Sequence, residues 1–456
     1  NARRPFSFYL KSDYQPIQTR QLGIATHYQI LDADHVFSDL SPLRETGHSR
    51  IALENGFIRF DWKESFNQQL ESRFFTSYAR GKPLSQDKIE VGAKAHYLKR
   101  NIGYTAYDIG NEWMWSPSEE NTFLLGIDYS HEYHDLAHFY QISRDPYAII
   151  SLNEAVEKSF SNTGIYAQWQ HRFTKEWLNA KWQTTLGFRY DKHSYTGEQN
   201  SVRLGLVGQL PHDMVIKFLI GNSFQAPSPE LLFREAVQGG DIIGNPNLEP
   251  QKAETAETSL FIPVTQHLHF TGTAFVTSIK DLVLYQAKFS NVIARNTTES
   301  LTHGLELELR YKKDRLHAYI NLNWQDTDVD DNPYHLFILN ERKDGILFPH
   351  FSSNLGLSYH WKNPQLTISV NNRYVGKRPA STQNILLAQR YYHLDDYWDT
   401  TLGISTHAFS LIKGKSATLR FQIHDLWDSD YLNAGFGGIE IPSLGRHYTL
   451  TFEQRF

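Results

Sequence analysis

The sequence predicts an all-β chain folded as a transmembrane antiparallel β-barrel. Three observations point there. Apolar and polar residues alternate with a period of two in segment after segment along the 456 residues. Connections between segments are short at one set of ends and long at the other. Aromatic residues are abundant, with 28 Phe, 25 Tyr and 10 Trp. A soluble core rarely needs so many, whereas barrels carry aromatic girdles at both membrane interfaces.

Composition narrows the alternatives. Net charge is −5, from 45 Lys plus Arg against 50 Asp plus Glu, so no basic excess points to nucleic acid. Apolar residues make up 40%, but no apolar run is long enough for a transmembrane helix. Barrel strands need only alternate. The chain has no cysteine, which excludes a disulfide framework and thiol chemistry. The start, Asn-Ala-Arg-Arg, has neither Met nor an apolar signal segment, and reads as a mature, processed or truncated end.

Strands are expected in pairs near 5–14 and 20–31, 49–62 and 66–80, 104–116 and 120–131, 161–173 and 178–191. The pairs continue at 201–210 and 213–223, 254–263 and 266–277, 303–312 and 315–325, 351–361 and 364–375, 398–410 and 416–425. A last strand spans 446–456, giving nineteen. Bacterial single-chain barrels normally have an even number. Either one strand escapes this reading or the barrel starts outside the chain.

The alternation is clearest in the second half. Leu305, Leu307, Leu309 and Tyr311 share one face, and Glu306, Glu308 and Arg310 the other. Ala318, Ile320, Leu322 and Trp324 oppose Tyr319, Asn321 and Asn323. The apolar sets Leu355, Leu357, Tyr359, Trp361 and Leu366, Ile368, Val370, Tyr374 follow, then Ala417, Leu419, Phe421, Ile423. One such strand also fits a soluble sandwich. The repetition along the chain is what selects the barrel.

Short turns are expected at Lys312–Asp314, Lys362–Pro364, Pro211–Asp213, Val264–Gln266 and Lys413–Lys415. Long polar loops are expected at 131–158, 225–252, 285–302, 326–350, 376–396 and 426–445. Outer-membrane barrels have this asymmetry, with turns in the periplasm and loops outside. Tyr448, Leu450, Phe452 and the terminal Phe456 line one face of the last strand. A final strand ending on an aromatic residue resembles the signal read by the barrel assembly machinery, which makes that machinery an expected partner.

Several motifs occur in order. Asn222-Ser223-Phe224-Gln225-Ala226-Pro227 ends a strand and is followed by Gly244-Asn245-Pro246-Asn247-Leu248-Glu249-Pro250. Gly304-Leu305-Glu306 opens a later strand, and Gly445-Arg446 opens the last one. By their own chemistry, Pro227, Pro229, Pro246 and Pro250 mark chain leaving the sheet, and Gly244-Asn245-Pro246 is a turn. These residues are read as structural. Together the motifs resemble those of TonB-dependent receptors, well over 160–456 and in architecture before that. Gln251 stands where that family usually has Glu.

The resemblance implies a barrel of about 22 strands. Counting back from the C-terminus, residue 5 would begin near the fourth strand. The whole of 1–456 is then barrel, incomplete at its N-terminus, with the first three strands, the plug and the TonB box outside this chain. The family further implies a plug domain in cis or from another chain, the TonB complex acting through the plug, and a small metal-chelate ligand. Outer-membrane lipid and lipopolysaccharide would surround the barrel.

Candidate ligand contacts are few. His131, His134 and His138 fall in an expected external loop, where a helix would bring them to one side to hold a metal or haem; a solvated loop is the plainer reading. No His lies in 228–243, where the family's haem receptors often have one. Asp326, Asp328 and Asp330, with Asp331 and Asn332, offer the hard oxygen ligands that suit Ca²⁺, or simply a solvated acidic loop. Arg234, Arg390, Tyr391 and Tyr392, with His393, could hold an anionic, ring-bearing chelate or anchor the chain at the membrane interface. With only Met114 and Met214 and no Cys, copper is disfavoured. No nucleophile elbow, phosphate loop or zinc motif suggests an enzyme, and no covalent cofactor is expected. The leading expectation is uptake of a ferric siderophore or other metal chelate across the outer membrane. The alternatives are a plugless passive pore and a structural barrel in an envelope complex.

Overall fold

A computed structural model describes residues 6–34, 50–90, 96–144, 147–175, 179–236, 242–288, 291–329, 348–379, 393–406, 409–412, 415–433 and 441–454. Most of them form one large sheet of 23 strands, with two small two-stranded pairings, Arg378–Pro379 with His393–Leu394 and Leu432–Asn433 with Ile441–Pro442, beside it. Nineteen of these build the wall: β1 (Phe6–Ile17), β2 (Arg20–Asp34), β3 (Arg50–Ser65), β4 (Leu70–Pro83), β5 (His96–Trp115), β6 (Asn121–Arg144), β7 (Glu157–Lys175), β8 (Ala180–His193), β9 (Gly197–Gln209) and β10 (Val215–Gln225). They continue with β11 (Gln251–Thr265), β12 (Leu268–Lys288), β13 (Asn291–Lys313), β14 (Leu316–Val329), β15 (Phe351–Trp361), β16 (Leu366–Val375), β17 (Tyr397–Thr406), β18 (Lys415–His424) and β19 (His447–Gln454). Each pairs antiparallel with the next. The other four are short pieces at Ile89–Glu90, Tyr147–Ser151, Ile242–Ile243 and Phe409–Ile412. Each expected strand has its counterpart in the wall.

The register puts chemistry on faces. Leu305 pairs with Trp324, Leu307 with Leu322 and Leu309 with Ile320. Trp324 then pairs with Phe351. Between these rows lie Glu306 opposite Asn323 and Glu308 opposite Asn321. A soluble protein would bury the apolar set, but here Leu305, Leu309, Leu355, Leu357, Leu419 and Phe421 are all exposed. The apolar face therefore looks outward, toward lipid. Strand β15 has 11 residues with Phe351 and Trp361 at its ends, matching the ~9–11 residues a tilted strand needs to cross the hydrocarbon core. Trp62, Trp115, Trp169 and Trp361 lie near the short turns, and Tyr107, Trp324, Tyr374 and Trp398 toward the other rim. These are the two girdles of a membrane barrel. No helix among the described residues is long and apolar enough to cross a membrane.

Two connections expected as long loops are largely strand among their described residues. Residues 131–144 continue β6, and the 285–302 stretch is the tip of a hairpin in which β12 runs to Lys288 and β13 starts at Asn291. Asp326 and Asp328 likewise extend β14. The physical reason is common to all three. Beyond the bilayer both faces meet water, so the strand persists while its alternation fades.

Candidate functional site

The inner face of β3–β8 carries a continuous polar network. In register, Asp61, Phe75, Gly110, Asp128, Gly164 and Asp191 form one row across the sheet. The neighbouring row includes Glu112, Gly126, Tyr166 and Arg189. Arg189 donates to both oxygens of Asp128, at 2.7 and 2.9 Å, and to both of Asp191, at 2.7 and 2.8 Å. Asn162 Nδ2 adds a bond to Asp191 at 2.8 Å. Tyr166 donates to Glu112 at 2.7 Å. Arg59 forks onto Asp61 at 2.9 and 3.0 Å, and Arg73 joins Asp61 at 2.9 Å. Ser77 Oγ donates to Asp108 at 2.8 Å. Asp191 is buried, and a buried carboxylate must be paired and hydrogen-bonded to remain charged.

Glycines make this network possible. A Cβ on Gly164 would lie 2.1 Å from the Arg189 guanidinium. One on Gly126 would lie 2.1 Å from the Tyr166 ring, and one on Gly110 would meet Phe75 at 2.4 Å. Each glycine is the seat over which a neighbouring strand's large side chain lies, as isolated glycines inside strands often are. The guanidinium of Arg189 sits 5.1 Å from the Tyr166 ring, and that of Arg59 sits 4.7 Å from the Phe75 ring, both within cation–π range.

Toward the loop end the same face turns aromatic. Phe160 stacks on His193 at 5.8 Å and meets His134 edge-on at 5.9 Å. His134 Nε2 lies 2.8 Å from Glu132. The short helix α1 (Pro229–Phe233), capped by Ser228, caps this cluster. Its Phe233 packs against Phe160 and Tyr195, and Lys158 lies 4.5 Å from the Phe233 ring. Leu232 inserts beside Phe160, Leu248 and Ala294 in a small buried core. Farther round the rim, Arg378 is buried beside the parallel Tyr397–Tyr431 stack and donates to the Leu432 carbonyl at 2.7 Å. Burial pushes the Tyr431 phenol up from its ordinary range.

The structure places the expected site residues as follows. His131, His134 and His138 stand on strand β6, not on a helix. His131 and His134 are an odd number of residues apart, so they take opposite faces, and His138 bonds to Ser151 Oγ at 2.9 Å. The three imidazoles are not brought together. Asp326 and Asp328 share the Trp324 face of β14, with Asp326 3.2 Å from His350. Asp330 lies outside the described residues, as do Arg390, Tyr391, Tyr392 and Phe456. Among the described residues no group of three acidic or His side chains is disposed to hold a metal. Arg234 follows α1 with its guanidinium 5.9 Å from the Phe139 ring.

The motif residues hold loops to wall. Phe224, near the end of β10, pairs with Lys252, and Ala226 and Pro227 lead from that strand into α1. Asn245 donates to the Ala294 carbonyl at 2.9 Å, and its backbone N–H to the Leu231 carbonyl at 2.8 Å. The Pro246 carbonyl accepts from Tyr195, and Leu248 is buried. Gly304 has no room for a Cβ, which would lie 2.6 Å from the Trp324 carbonyl, while Glu306 faces the lumen. Gly445 adopts φ +64°, a left-handed conformation glycine permits. The next residue, Arg446, donates its backbone N–H to Asp428 at 2.7 Å. Arg189, Asp128, Asp191 and the Phe160 cluster escaped the reading of the sequence. The signal was present: Gly110, Gly126 and Gly164 interrupt strands where a close approach was to be expected.

Comparison with known proteins places this geometry. The family model "TonB dependent receptor-like, beta-barrel" matches residues 3–426. The vitamin B12 transporter BtuB of Vibrio cholerae is 24% identical over 310 residues, covering 67% of this chain and 44% of that protein. The iron-regulated outer membrane virulence protein of Vibrio cholerae is 24% identical over 308 residues, covering 63% of this chain and 44% of its own length. The chain thus spans less than half of the curated relatives it matches. Among solved structures, the FrpB iron transporter of Neisseria meningitidis superposes with TM-score 0.71 at 14% identity, over 98% of this chain and 71% of that one. A mutant of the ferric enterobactin receptor of Pseudomonas aeruginosa gives TM-score 0.73 at 14% identity, over 99% and 69%. These two likenesses show the fold. The inside-out wall and the family match together place the chain in a bacterial outer membrane. It belongs to the TonB-dependent receptor-like β-barrel family.

Proposed function

We propose that this barrel is the wall of an outer-membrane importer for a ferric siderophore or another metal chelate. The observation that carries this reading is the ordered polar network on the inner face, from Arg59 and Asp61 to Arg189 and Asp191. A plain water-filled pore needs a polar lining but not one in which carboxylates and guanidinia are locked pairwise over glycine seats. Such a preorganised surface suits a folded occupant, and a plug domain, in cis or from another chain, is the occupant proposed. The TonB complex would act through that plug. The rim of His134, His193, Tyr195, Phe233 and Lys158, standing around the buried Phe160, would meet an incoming ring-bearing anionic chelate, with the Lys158 ammonium as its cation.

Uptake assays on cells carrying the complete gene test this. Ferric chelates of several classes and cobalamin are supplied in parallel, with and without the proton-motive force. Energised accumulation of one class supports import. Equal passive entry of all solutes with the barrel present would replace it with a pore.

A further inference from the structure

The outer face holds a groove of about 640 Å³ near the short-turn end of β5–β9. Its floor is Ala167, which lies between Leu125 and Phe188 in register. Around that small side chain stand Trp113, Trp115, Phe123 and Trp169. All of these residues point outward, in the same rows as the lipid-facing band. The depression therefore results from a single small residue set among large ones.

The groove wall is held stiff. Trp115 stacks on Phe123 at 5.4 Å, Phe123 on Trp169 at 6.5 Å and Trp169 on His171 at 5.5 Å, with interplanar angles of 14–28°. At the turn end, Asn121 Oδ1 accepts from Trp169 Nε1 at 3.1 Å and contacts His171 Nδ1 at 3.0 Å. These bonds satisfy the indole and fix the ring planes at the level where a girdle meets headgroups. An apolar slot with a polar ledge at one end matches the division of a phospholipid into chain and headgroup. The short turns put that ledge on the periplasmic side, where the leaflet is phospholipid.

We infer that this groove is a specific seat for one acyl chain of a periplasmic-leaflet phospholipid. The groove is continuous with the lipid-covered surface, so no other occupant has easier access. This inference rests on the membrane orientation and not on the transported ligand.

The test uses the full-length protein, extracted in a mild detergent and read by native mass spectrometry for retained phospholipid. Ala167→Trp puts an indole on the floor of the slot, where the chain would lie. Ala318→Trp adds the same bulk on the outward face of β14 and serves as the control. Wild type and control should each retain about one phospholipid per barrel, and Ala167→Trp should retain at least tenfold less. Equal retention by all three would overturn the inference, as would absence of phospholipid from the wild type, or lipopolysaccharide in its place. If Ala167→Trp fails to fold, Ala167→Leu is read in the same way.

Discussion

Arg189 on β8 reaches across β7 to grip Asp128 on β6, with two hydrogen bonds of 2.7 and 2.9 Å. The strand between them contributes Gly164, and nothing larger would let the guanidinium pass. Three strands are thus tied through one side chain on the luminal face. Removing it leaves the buried Asp191 and the half-buried Asp128 without their cation. Arg189→Ala should cost about 2–3 kcal/mol, below the range for a wholly buried pair because the side chain is partly solvated. Arg189→Lys should recover only part, since an ammonium cannot fork onto two carboxylates. Thermal unfolding of the barrel, followed by its heat-modifiable gel mobility, reads both.

The glycine seats give a sharper contrast. Gly164→Ala should destabilise the wall by roughly 1–3 kcal/mol through overpacking against Arg189 and Asp128. Gly187→Ala lies on a neighbouring strand of the same sheet, but its Cβ would meet nothing nearer than 3.8 Å. That substitution should be neutral or slightly stabilising, because it removes backbone entropy from the unfolded chain. The same unfolding assay distinguishes them. Equal effects would mean that Gly164 is not a seat.

Charge placed on opposite faces of β15 should behave oppositely. Leu357→Arg puts a guanidinium into lipid near mid-strand and should cost about 2–4 kcal/mol. Asn354→Arg points into the lumen and should change stability little. Yield of folded barrel in the membrane fraction provides the measurement.

Leu232 is the buried residue of helix α1. Leu232→Ala should weaken the docking of that helix by about 2–5 kcal/mol, because Leu232 packs against Phe160, Leu248 and Ala294. Protease added to intact cells should then cut within 226–250 faster than in the wild type, while the wall strands stay protected.

Much of the wall was legible because the membrane writes itself into the sequence with a period of two. Leu305, Leu307 and Leu309 against Glu306 and Glu308 need no structure to be sorted onto faces. The legibility stops at the bilayer edge. His131 to Arg144 continue β6, yet with water on both sides nothing forces an alternation there, and the sequence alone suggests a loop. The His131, His134 and His138 grouping assumed a helical period, and a strand separates the first two by half a turn. The luminal clamp was hidden for a different reason. Asp128 and Arg189 are 61 residues apart, so only the strand register brings them together, with the glycine at 164 as the sole local hint.

Residues 1–456 contain no cysteine, so a single cysteine placed among them, with any cysteine elsewhere in the full-length protein replaced by serine, reports which side chains meet water. Replacing Leu305, Glu306, Leu307, Glu308, Leu309 and Arg310 one at a time, in full-length protein in intact membranes, and treating with a charged, membrane-impermeant thiol reagent gives a six-point profile. Positions 306, 308 and 310 should be labelled once outer-membrane access is provided, and 305, 307 and 309 should stay protected until detergent strips the lipid. Labelling that ignores parity, or favours the odd positions, would show that lipid does not lie against the apolar face, and the membrane barrel would have to be abandoned.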